Sequence, residues 1–342
     1  MSDVTIPYQA EGFESGDSIL GSNVLGCGLG EVVHAAMTVG KDESTFKRAG
    51  RYARFEALYK LFHVKAYLDI YHTRLRQTSQ FKRSDPSEKG AISYYHGLMM
   101  AKLFAEKYLD TPWLMHLDTV AEKKVFINPK GEKPDLVGLN TNGQWIVIEA
   151  KGRSGPLPAT LISKACNQLD NLATIDGQIP FRQLVSAAYF RKAKGDRTKS
   201  LTVKFVNHVV TLASKSPQRL PSSMNAYYDP FFRLLEEVGN SSRLVVLDNQ
   251  QYRAVHLGEA DVTIGVNSEL LQNFQNRRQI IAVDTWSQIL AILTHPTISR
   301  AQISEMFSPD GFDDAAQADL TLSNFYLGAD GIFVALGLSW QT

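Results

Sequence analysis

Helical hydrophobic spacing dominates two segments in the first third of the chain. The pattern predicts a helix over 44–77 and a second helix over 91–109, which Pro112 stops. The segment 80–90 between them has turn composition and is the first predicted boundary. Apolar residues recur on the first helix at intervals of three and four, and we expect them to form a buried stripe: Tyr52, Phe55, Tyr59, Phe62 and Ala66.

Beyond Pro112 the pattern changes to short apolar or alternating runs that are typical of strands. A helix over 160–175 separates the last of these runs from the others, and the predicted strands are 113–120, 133–140, 144–152 and 184–190. The order helix, three strands, helix, strand predicts an α/β fold with an αβββαβ core over residues 86–215.

Two regions flank this core. The N-terminal region, 1–85, is predicted to be helical after an irregular segment 1–30, with a helix that begins near Glu31. Residues 214–225 have the composition of a linker. The acidic C-terminal region, 221–342, is predicted to be α/β, with strands at 244–248, 262–266, 280–284 and 331–337 and a helix at 285–294.

Composition narrows the class of protein. Hydrophobic residues make up 44% and charged residues 21% of the 342 residues, as in an ordinary globular chain. No apolar run is long enough to span a membrane, and the first residues lack a secretory signal. The only cysteines are Cys27 and Cys166, which favours a reducing compartment and predicts a cytoplasmic protein.

The charge is unevenly distributed, although the formal net charge is only +1. Residues 41–220 carry 30 of the 36 Lys and Arg residues, whereas the regions on either side are acidic. A basic middle suits a polyanion, because each neutralised phosphate releases a counterion. We therefore expect a nucleic-acid partner, DNA first and RNA as the alternative, unless the bases only form a solvated face.

The sequence lacks the motifs that several other kinds of enzyme and metal site require. The eight histidines include no pair at i, i+4 spacing, so a zinc site is not expected. Neither a P-loop nor a G-x-S-x-G elbow occurs, and the glycines of 26–30 have the wrong spacing for a dinucleotide loop.

The candidate chemistry surrounds residues 140–143, a strong hairpin signal. A two-residue turn would set Asp135 opposite Ala150. A three-residue loop with Gly143 in the left-handed conformation would instead set Asp135 opposite Glu149, with Cβ atoms roughly 5 Å apart on one face. Lys151 shares the face of Glu149, because it lies two residues further along the same strand.

Two carboxylates at that distance repel each other unless a cation lies between them. Oxygen ligands favour Mg²⁺, with Mn²⁺ as an alternative. The competing interpretation is a buried salt bridge between Lys151 and either Glu149 or Asp135, with no metal at all.

Pro134-Asp135 followed by Glu149-Ala150-Lys151 resembles the PD-(D/E)XK signature of the restriction-endonuclease-like nuclease superfamily. The predicted αβββαβ order is similar to the core of that family, and the resemblance covers about residues 90–192. It implies an Mg²⁺-dependent endonuclease that acts on DNA in restriction, phage defence or repair. It also implies that Asp135, Glu149 and the Ala150 carbonyl bind the metal, that Lys151 positions or helps to deprotonate the attacking water, and that Gln168 occupies the place of a glutamine common on the following helix.

The first core helix departs from the family pattern. Many members have a glutamate there, but here Tyr94, Tyr95 and His96 occupy the early turns. The metal ligand from this helix is therefore Glu106, late on the helix, or none. His96 and His116 either border the site or are structural histidines.

Two other functions stay open at this point. The fold could be a non-catalytic module that binds nucleic acid or a partner protein, with the acids in a salt-bridge network. It could also be a subunit of a larger complex. A homodimer is consistent with double-strand cleavage, and the acidic region 221–342 is the predicted surface for a partner subunit.

Overall fold

The computed structural model describes residues 4–40, 52–120, 122–192, 198–211, 223–275 and 324–340. This part of the chain contains seven α-helices, and short 3₁₀ turns at Leu117–Thr119, Gly239–Ser241 and Leu338–Trp340. The helices are α1 (Leu29–Thr38), α2 (Ala53–Tyr67), α3 (Ser79–Arg83), α4 (Pro86–Leu109), α5 (Leu161–Asp170), α6 (Ser223–Val238) and α7 (Ser268–Gln275).

Sixteen strands lie in the same described segments. The first eight are β1 (Val4–Glu11), β2 (Gly21–Cys27), β3 (Leu68–Tyr71), β4 (Arg74–Gln77), β5 (Trp113–His116), β6 (Lys124–Phe126), β7 (Leu136–Leu139) and β8 (Trp145–Arg153). The remaining eight are β9 (Leu172–Ile175), β10 (Arg182–Lys192), β11 (Lys199–Val210), β12 (Arg243–Leu247), β13 (Gln250–Leu257), β14 (Val262–Asn267), β15 (Phe325–Leu327) and β16 (Ile332–Leu336).

The strands form one large mixed sheet and two smaller sheets. The large sheet has nine strands in the order β2-β1-β4-β11-β10-β8-β7-β5, with β3 paired to β4. A five-stranded sheet has the order β12-β13-β14-β16-β15, and β6 pairs with β9. The predicted α/β class is confirmed by this mixture of helices with a large mixed sheet.

The centre of the large sheet follows the predicted order of elements. Helix α4 precedes the antiparallel strands β5, β7 and β8, and α5 then leads to β10, which runs parallel to β8. Both helices pack against β8 and β10. Asp85 starts α4 with a capping box in which its side chain accepts from Glu88 N at 3.1 Å and Glu88 reaches back to Asp85 N at 3.2 Å.

The N-terminal region, 1–85, is not simply helical, contrary to the sequence prediction. Residues 1–30 were expected to be irregular, but they contain the antiparallel pair β1 and β2, which joins the large sheet through pairing of β1 with β11 and β4. The side chains of β1 alternate between buried and more exposed positions, so this strand supplies one apolar face to the core. Helix α1 begins at Leu29, close to the predicted start.

The predicted helix over 44–77 is also corrected. Residues 44–51 lie outside the described part, and α2 ends at Tyr67. The chain then forms the tight hairpin of β3 and β4, in which His72 and Thr73 adopt positive φ values. The predicted turn over 80–90 contains α3 and the first turn of α4, and the predicted helix over 160–175 ends at Asp170, so that β9 occupies 172–175.

The residues predicted to form a buried stripe on the first helix face solvent instead of the core. All five are exposed: Tyr52, Phe55, Tyr59, Phe62 and Ala66. The opposite face buries smaller residues, among them Ala53, Ala57, Leu61 and Val64. Both faces show helical spacing, and α1 and α6 pack against α2, so the less bulky face became the buried one.

The C-terminal region packs on the rest of the molecule. One apolar cluster includes Val4 and Val32 from the N-terminal region together with Val262 and Ile332 from the five-stranded sheet. The predicted strands at 244–248, 262–266 and 331–337 correspond to β12, β14 and β16. The predicted strand 280–284, the helix 285–294 and most of the linker 214–225 lie outside the described residues. In the described segments, no helix has both the length and the apolar character needed to cross a bilayer.

Candidate active site

The hairpin of β7 and β8 has the register that pairs the two predicted acids. The last ladder pair is Leu139 with Trp145, and the loop closes when Asn140 N donates to Gln144 O at 3.1 Å. Gly143 has a φ of +73°, as the three-residue loop requires. Continued by one position beyond Leu136–Ile148, this register sets Asp135 opposite Glu149. The three-residue interpretation of the loop is therefore confirmed.

Asp135 and Glu149 contact each other through backbone and side-chain atoms. Asp135 N donates to Glu149 Oε2 at 3.0 Å, and Ala150 N donates to Asp135 Oδ2 at 3.1 Å. Lys151 Nζ donates to the other oxygen of Glu149, Oε1. The Glu149 side chain is completely buried, while Lys151 is 27% exposed. Three of the predicted site residues thus form one cluster at the end of the hairpin that lies away from its loop.

The electrostatics of this cluster raise the pKa values of both acids. Burial, and secondly the negative charge of Asp135, raise the pKa of Glu149 to about 8, and the hydrogen bond from Lys151 only partly opposes them. Burial also raises the pKa of Asp135 above its usual value, although Lys151 acts in the opposite direction. The two carboxyl groups share a hydrogen bond, so the pair holds a proton at neutral pH.

Helix α4 approaches the hairpin very closely and brings Tyr94 to the acids. A Cβ on Gly152 would lie 1.6 Å from Ser93 O, and a Cβ on Gly97 would lie 2.8 Å from the Lys151 carbonyl carbon. Burial, and then the negative charges of Asp135 and Glu149, raise the pKa of Tyr94 to about 12. Tyr94 therefore keeps its phenolic proton at neutral pH. The sequence pattern predicts its helix but does not single it out as a site residue.

The close contact between α4 and β8 gives a first testable prediction. Replacing Gly152 with alanine should lower the free energy of unfolding by about 1–3 kcal/mol, because the added methyl group overlaps the backbone of Ser93. Urea unfolding measures the change. Gly155→Ala is the matched control, since a Cβ there meets no atom within 4 Å. Equal stability of the two variants would contradict the described packing.

Glu106 lies away from this cluster, so of the two alternatives for the first core helix, Glu106 or no metal ligand, the geometry favours no ligand. It lies 12 residues beyond Tyr94 on α4, about 18 Å along the helix axis. Its carboxylate is 3.1 Å from Lys102 Nζ and accepts a hydrogen bond from Tyr326 OH at 3.1 Å. These contacts belong to a separate buried cluster that also includes His34, Tyr227 and Asp330.

The two histidines expected near the site differ in environment. His116 lies close enough to Asp135 for its charge to lower the pKa of that acid. His96 is buried among His63, Phe81 and Phe190, and burial followed by the charge of His63 lowers its pKa to about 3. His96 therefore stays neutral at physiological pH and belongs to the core of the fold.

A small cavity connects these histidines. It has a volume of about 40 Å³, and its lining includes His63, His96, His116 and Lys60. That volume suffices for about three or four water molecules at roughly 10–15 Å³ each. Among the described residues, neither ring nitrogen of His96 has a hydrogen-bond partner, so waters in this cavity would satisfy them.

Gln168 is half-buried in the last turn of α5. No side-chain hydrogen bond joins it to Asp135, Glu149 or Lys151 within the described residues. Its predicted role at the site stays a prediction. The basic stretch after β10 is described only in part: Arg191 and Lys192 are exposed at the end of the strand, and residues 193–197 are outside the described part.

The donor set fits a hard divalent cation. Two carboxylates are held together with raised pKa values, so positive charge at this point relieves a repulsion that the fold maintains. Asp135, Glu149 and the Ala150 carbonyl would hold the ion. Across the residues that the structure describes, no group of three or more His, Cys, Asp or Glu side chains is arranged to hold a metal, so the remaining ligands of such an ion would be waters or substrate oxygens.

Comparison with known proteins adds no family assignment. No family model matches the chain, and no curated protein or solved structure gives a match.

Proposed function

We propose that the chain is a metal-dependent nuclease of the restriction-endonuclease-like class that hydrolyses phosphodiester bonds of DNA. The observation that carries the proposal is the pairing of Asp135 with Glu149 across one hairpin, beside Lys151. Burying two acids and an amine together rarely helps stability, so a catalytic contact explains the arrangement better than a structural one. The order of α4, β5, β7, β8, α5 and β10 supports the αβββαβ core.

In this proposal Asp135, Glu149 and the Ala150 carbonyl hold Mg²⁺, with Mn²⁺ as a substitute. When bound, the ion supplies Lewis-acid activation of the phosphate and of a water. Glu149 and Asp135 would have to give up their shared proton to hold the ion, so its affinity would rise as the pH approaches about 8. Lys151, which contacts Glu149, would place its positive charge at the scissile phosphate.

Tyr94 contributes an uncharged donor on the same side. Its raised pKa keeps the hydroxyl protonated, and it is 39% exposed beside the acids. It can therefore donate a hydrogen bond to a phosphate oxygen without adding negative charge to the site. His116 is the second polar group near Asp135.

Cleavage of supercoiled plasmid and of circular single-stranded DNA with Mg²⁺ tests the proposal. We expect cleavage by the wild-type chain, and a loss of about 100-fold or more in the Asp135→Asn and Lys151→Met variants. Glu132→Gln is a matched control, because this exposed acid precedes the hairpin but lies outside the cluster. Undiminished cleavage by Asp135→Asn, or no cleavage by the wild type with Mg²⁺ or Mn²⁺, would overturn the proposal.

One observation favours a second function. The contact between Lys151 Nζ and Glu149 Oε1, together with the proton that the acid pair holds, offsets the charge of the two acids without a metal, which a non-catalytic nucleic-acid-binding module would require. Such a module would bind DNA equally well in EDTA, cleave nothing, and take up no Mg²⁺ or Mn²⁺ in calorimetry. The nuclease predicts metal uptake that Asp135→Asn abolishes.

A further inference from the structure

The exposed face of α2 carries a row of large aromatic side chains, which we name the aromatic stripe. Its members are Phe55, Tyr59 and Phe62, which are 63%, 50% and 41% exposed. Their spacing of four and three residues places them on one side of the helix, with neighbours roughly 5–6 Å apart at Cβ. Exposing three adjacent aromatic residues to water is unfavourable, which marks this face as a candidate binding surface.

The stripe continues into the candidate active site. The rings of Tyr59 and Tyr95 are 5.6 Å apart, and the rings of Tyr95 and Tyr94 are 5.7 Å apart. The backbone of Tyr94 in turn lies against β8 next to Lys151, since a Cβ on Gly152 would be 3.0 Å from Tyr94 N. These ring contacts form a path from the exposed face of α2, through the partly buried Tyr95, to Tyr94 on the helix that packs against β8. Other large exposed apolar residues, such as Ile127 and Leu244, lie on other elements and do not extend this path.

Positive charge flanks the end of the path. Helix α3 packs against α2 and exposes Lys82 and Arg83. Arg153 is exposed two residues after Lys151 on β8, and Gln77 Nε2 donates to Ser154 O at 2.8 Å, which joins this end of β8 to the strand that precedes α3. These charges suit a phosphate backbone, while the rings suit the flat faces of bases.

We propose that the aromatic stripe stacks the unpaired bases of a single-stranded nucleic acid and guides that strand to Asp135 and Glu149. A duplex hides the faces of its bases, so it cannot use a row of exposed rings in this way. Aromatic stacking tolerates any base, so the stripe would bind single strands with little sequence preference. This inference deepens the proposed nuclease function by naming the form of its substrate.

Binding of a fluorescein-labelled oligothymidylate, followed by anisotropy with EDTA present, tests the stripe without cleavage. We expect the wild-type chain to bind this strand at least about tenfold more tightly than the duplex formed with oligoadenylate. Phe55→Ala should weaken binding to the single strand by roughly 5- to 100-fold, while Phe55→Trp should keep it. Leu244→Ala is the control, since Leu244 is 65% exposed on β12 and should not affect binding.

The outcomes separate this inference from the nuclease proposal. If Phe55→Ala loses single-strand binding and Asp135→Asn retains it, the stripe is supported whether or not the chain cleaves DNA. If the chain cleaves DNA but binds duplex as tightly as single strands, or if Phe55→Ala binds as the wild type does, the stripe inference is overturned while the nuclease stands. A dimer that Phe55→Ala dissociates, detected by sedimentation, would also overturn it, because a second copy would then be the occupant.

Discussion

Replacing Glu149 with glutamine is expected to raise the thermal stability of the metal-free protein above pH 8 and, in the same variant, to reduce metal-dependent cleavage by about 1000-fold. Glutamine has the shape of glutamate and can still accept the hydrogen bond from Asp135 N. It removes a negative charge that is fully buried and lies against Asp135. The same charge is required to hold the proposed cation, so stability and activity should change in opposite directions.

The pH window of this effect follows from the pKa of Glu149. In the folded protein that pKa is raised from 4.5 to about 8. Between these values the folded state keeps a proton that the unfolded state has lost, so this group lowers stability as the pH rises through the window. The variant should therefore match the wild type near pH 5, and exceed it by an amount on the order of a few kcal/mol near pH 9. The variant also loses the ion pair with Lys151, which reduces the gain in stability. The reduction is small, because Lys151 is partly exposed and can turn to solvent.

Thermal unfolding in EDTA at these two pH values measures the effect, and cleavage of plasmid and of circular single-stranded DNA measures the activity. Glu132→Gln is again the control, and it should leave both quantities unchanged. Saturating Mg²⁺ should stabilise the wild type and not Glu149→Gln, because a ligand stabilises only the state that binds it. A destabilised Glu149→Gln variant near pH 9 would show that the acid has a structural role.

The site was predictable where local rules are strict. A hairpin of fixed loop length determines which residues face each other, so the positions of Asp135 and Glu149 follow from Gly143 and the strand pattern. The position of Tyr94 beside β8 was not predictable in this way. It depends on how closely α4 approaches β8, and the signal in the sequence consists of only two glycines, Gly97 and Gly152, which allow that approach.

The fold was likewise predictable where the local pattern of a segment fits only one kind of element. Buried strands such as β8 and β10 have long apolar runs, whereas β1 and β2 have short alternating patterns beside glycines and acids that are also typical of loops. The long strand β11, which joins β1 to β10, was missed for a related reason: it mixes apolar residues with Lys204 and His208. On α2, helical spacing is present on two faces, and periodicity alone cannot choose the buried one.

A second buried cluster connects the C-terminal region to the core, and its central acid is Asp330. This residue follows β15 and is completely buried. Its carboxylate is 3.1 Å from His34 Nε2 on α1 and 3.8 Å from Lys102 Nζ on α4, and it accepts a hydrogen bond from Tyr227 OH on α6. Burial alone would raise the pKa of Asp330, but His34 and Lys102 lower it to about 2. Asp330 is therefore ionised at neutral pH and balances charge from the core helices.

Asp330→Ala should lower the free energy of unfolding by about 3–5 kcal/mol at pH 7, because it leaves the buried Lys102 with less compensating charge. Urea unfolding measures this cost, and Glu259→Ala is the matched control. Glu259 pairs with Arg54 at the surface, so its loss should cost less than about 1 kcal/mol. Adding Lys102→Met to Asp330→Ala should restore part of the stability, because Lys102→Met removes the buried positive charge that Asp330→Ala leaves without its partner.

The pH dependence gives an independent test of the same charge. The folded-state pKa of Asp330 lies below its ordinary value of 3.8, so its contribution is present above that pH and is lost as the pH falls toward about 2. The difference between the wild type and Asp330→Ala should therefore be constant from neutral pH to about pH 4 and shrink below it. A cost at pH 7 no larger than that of Glu259→Ala would mean that residues 324–340 are held by apolar packing alone. The C-terminal region could then be removed without exposing an unbalanced charge in the core.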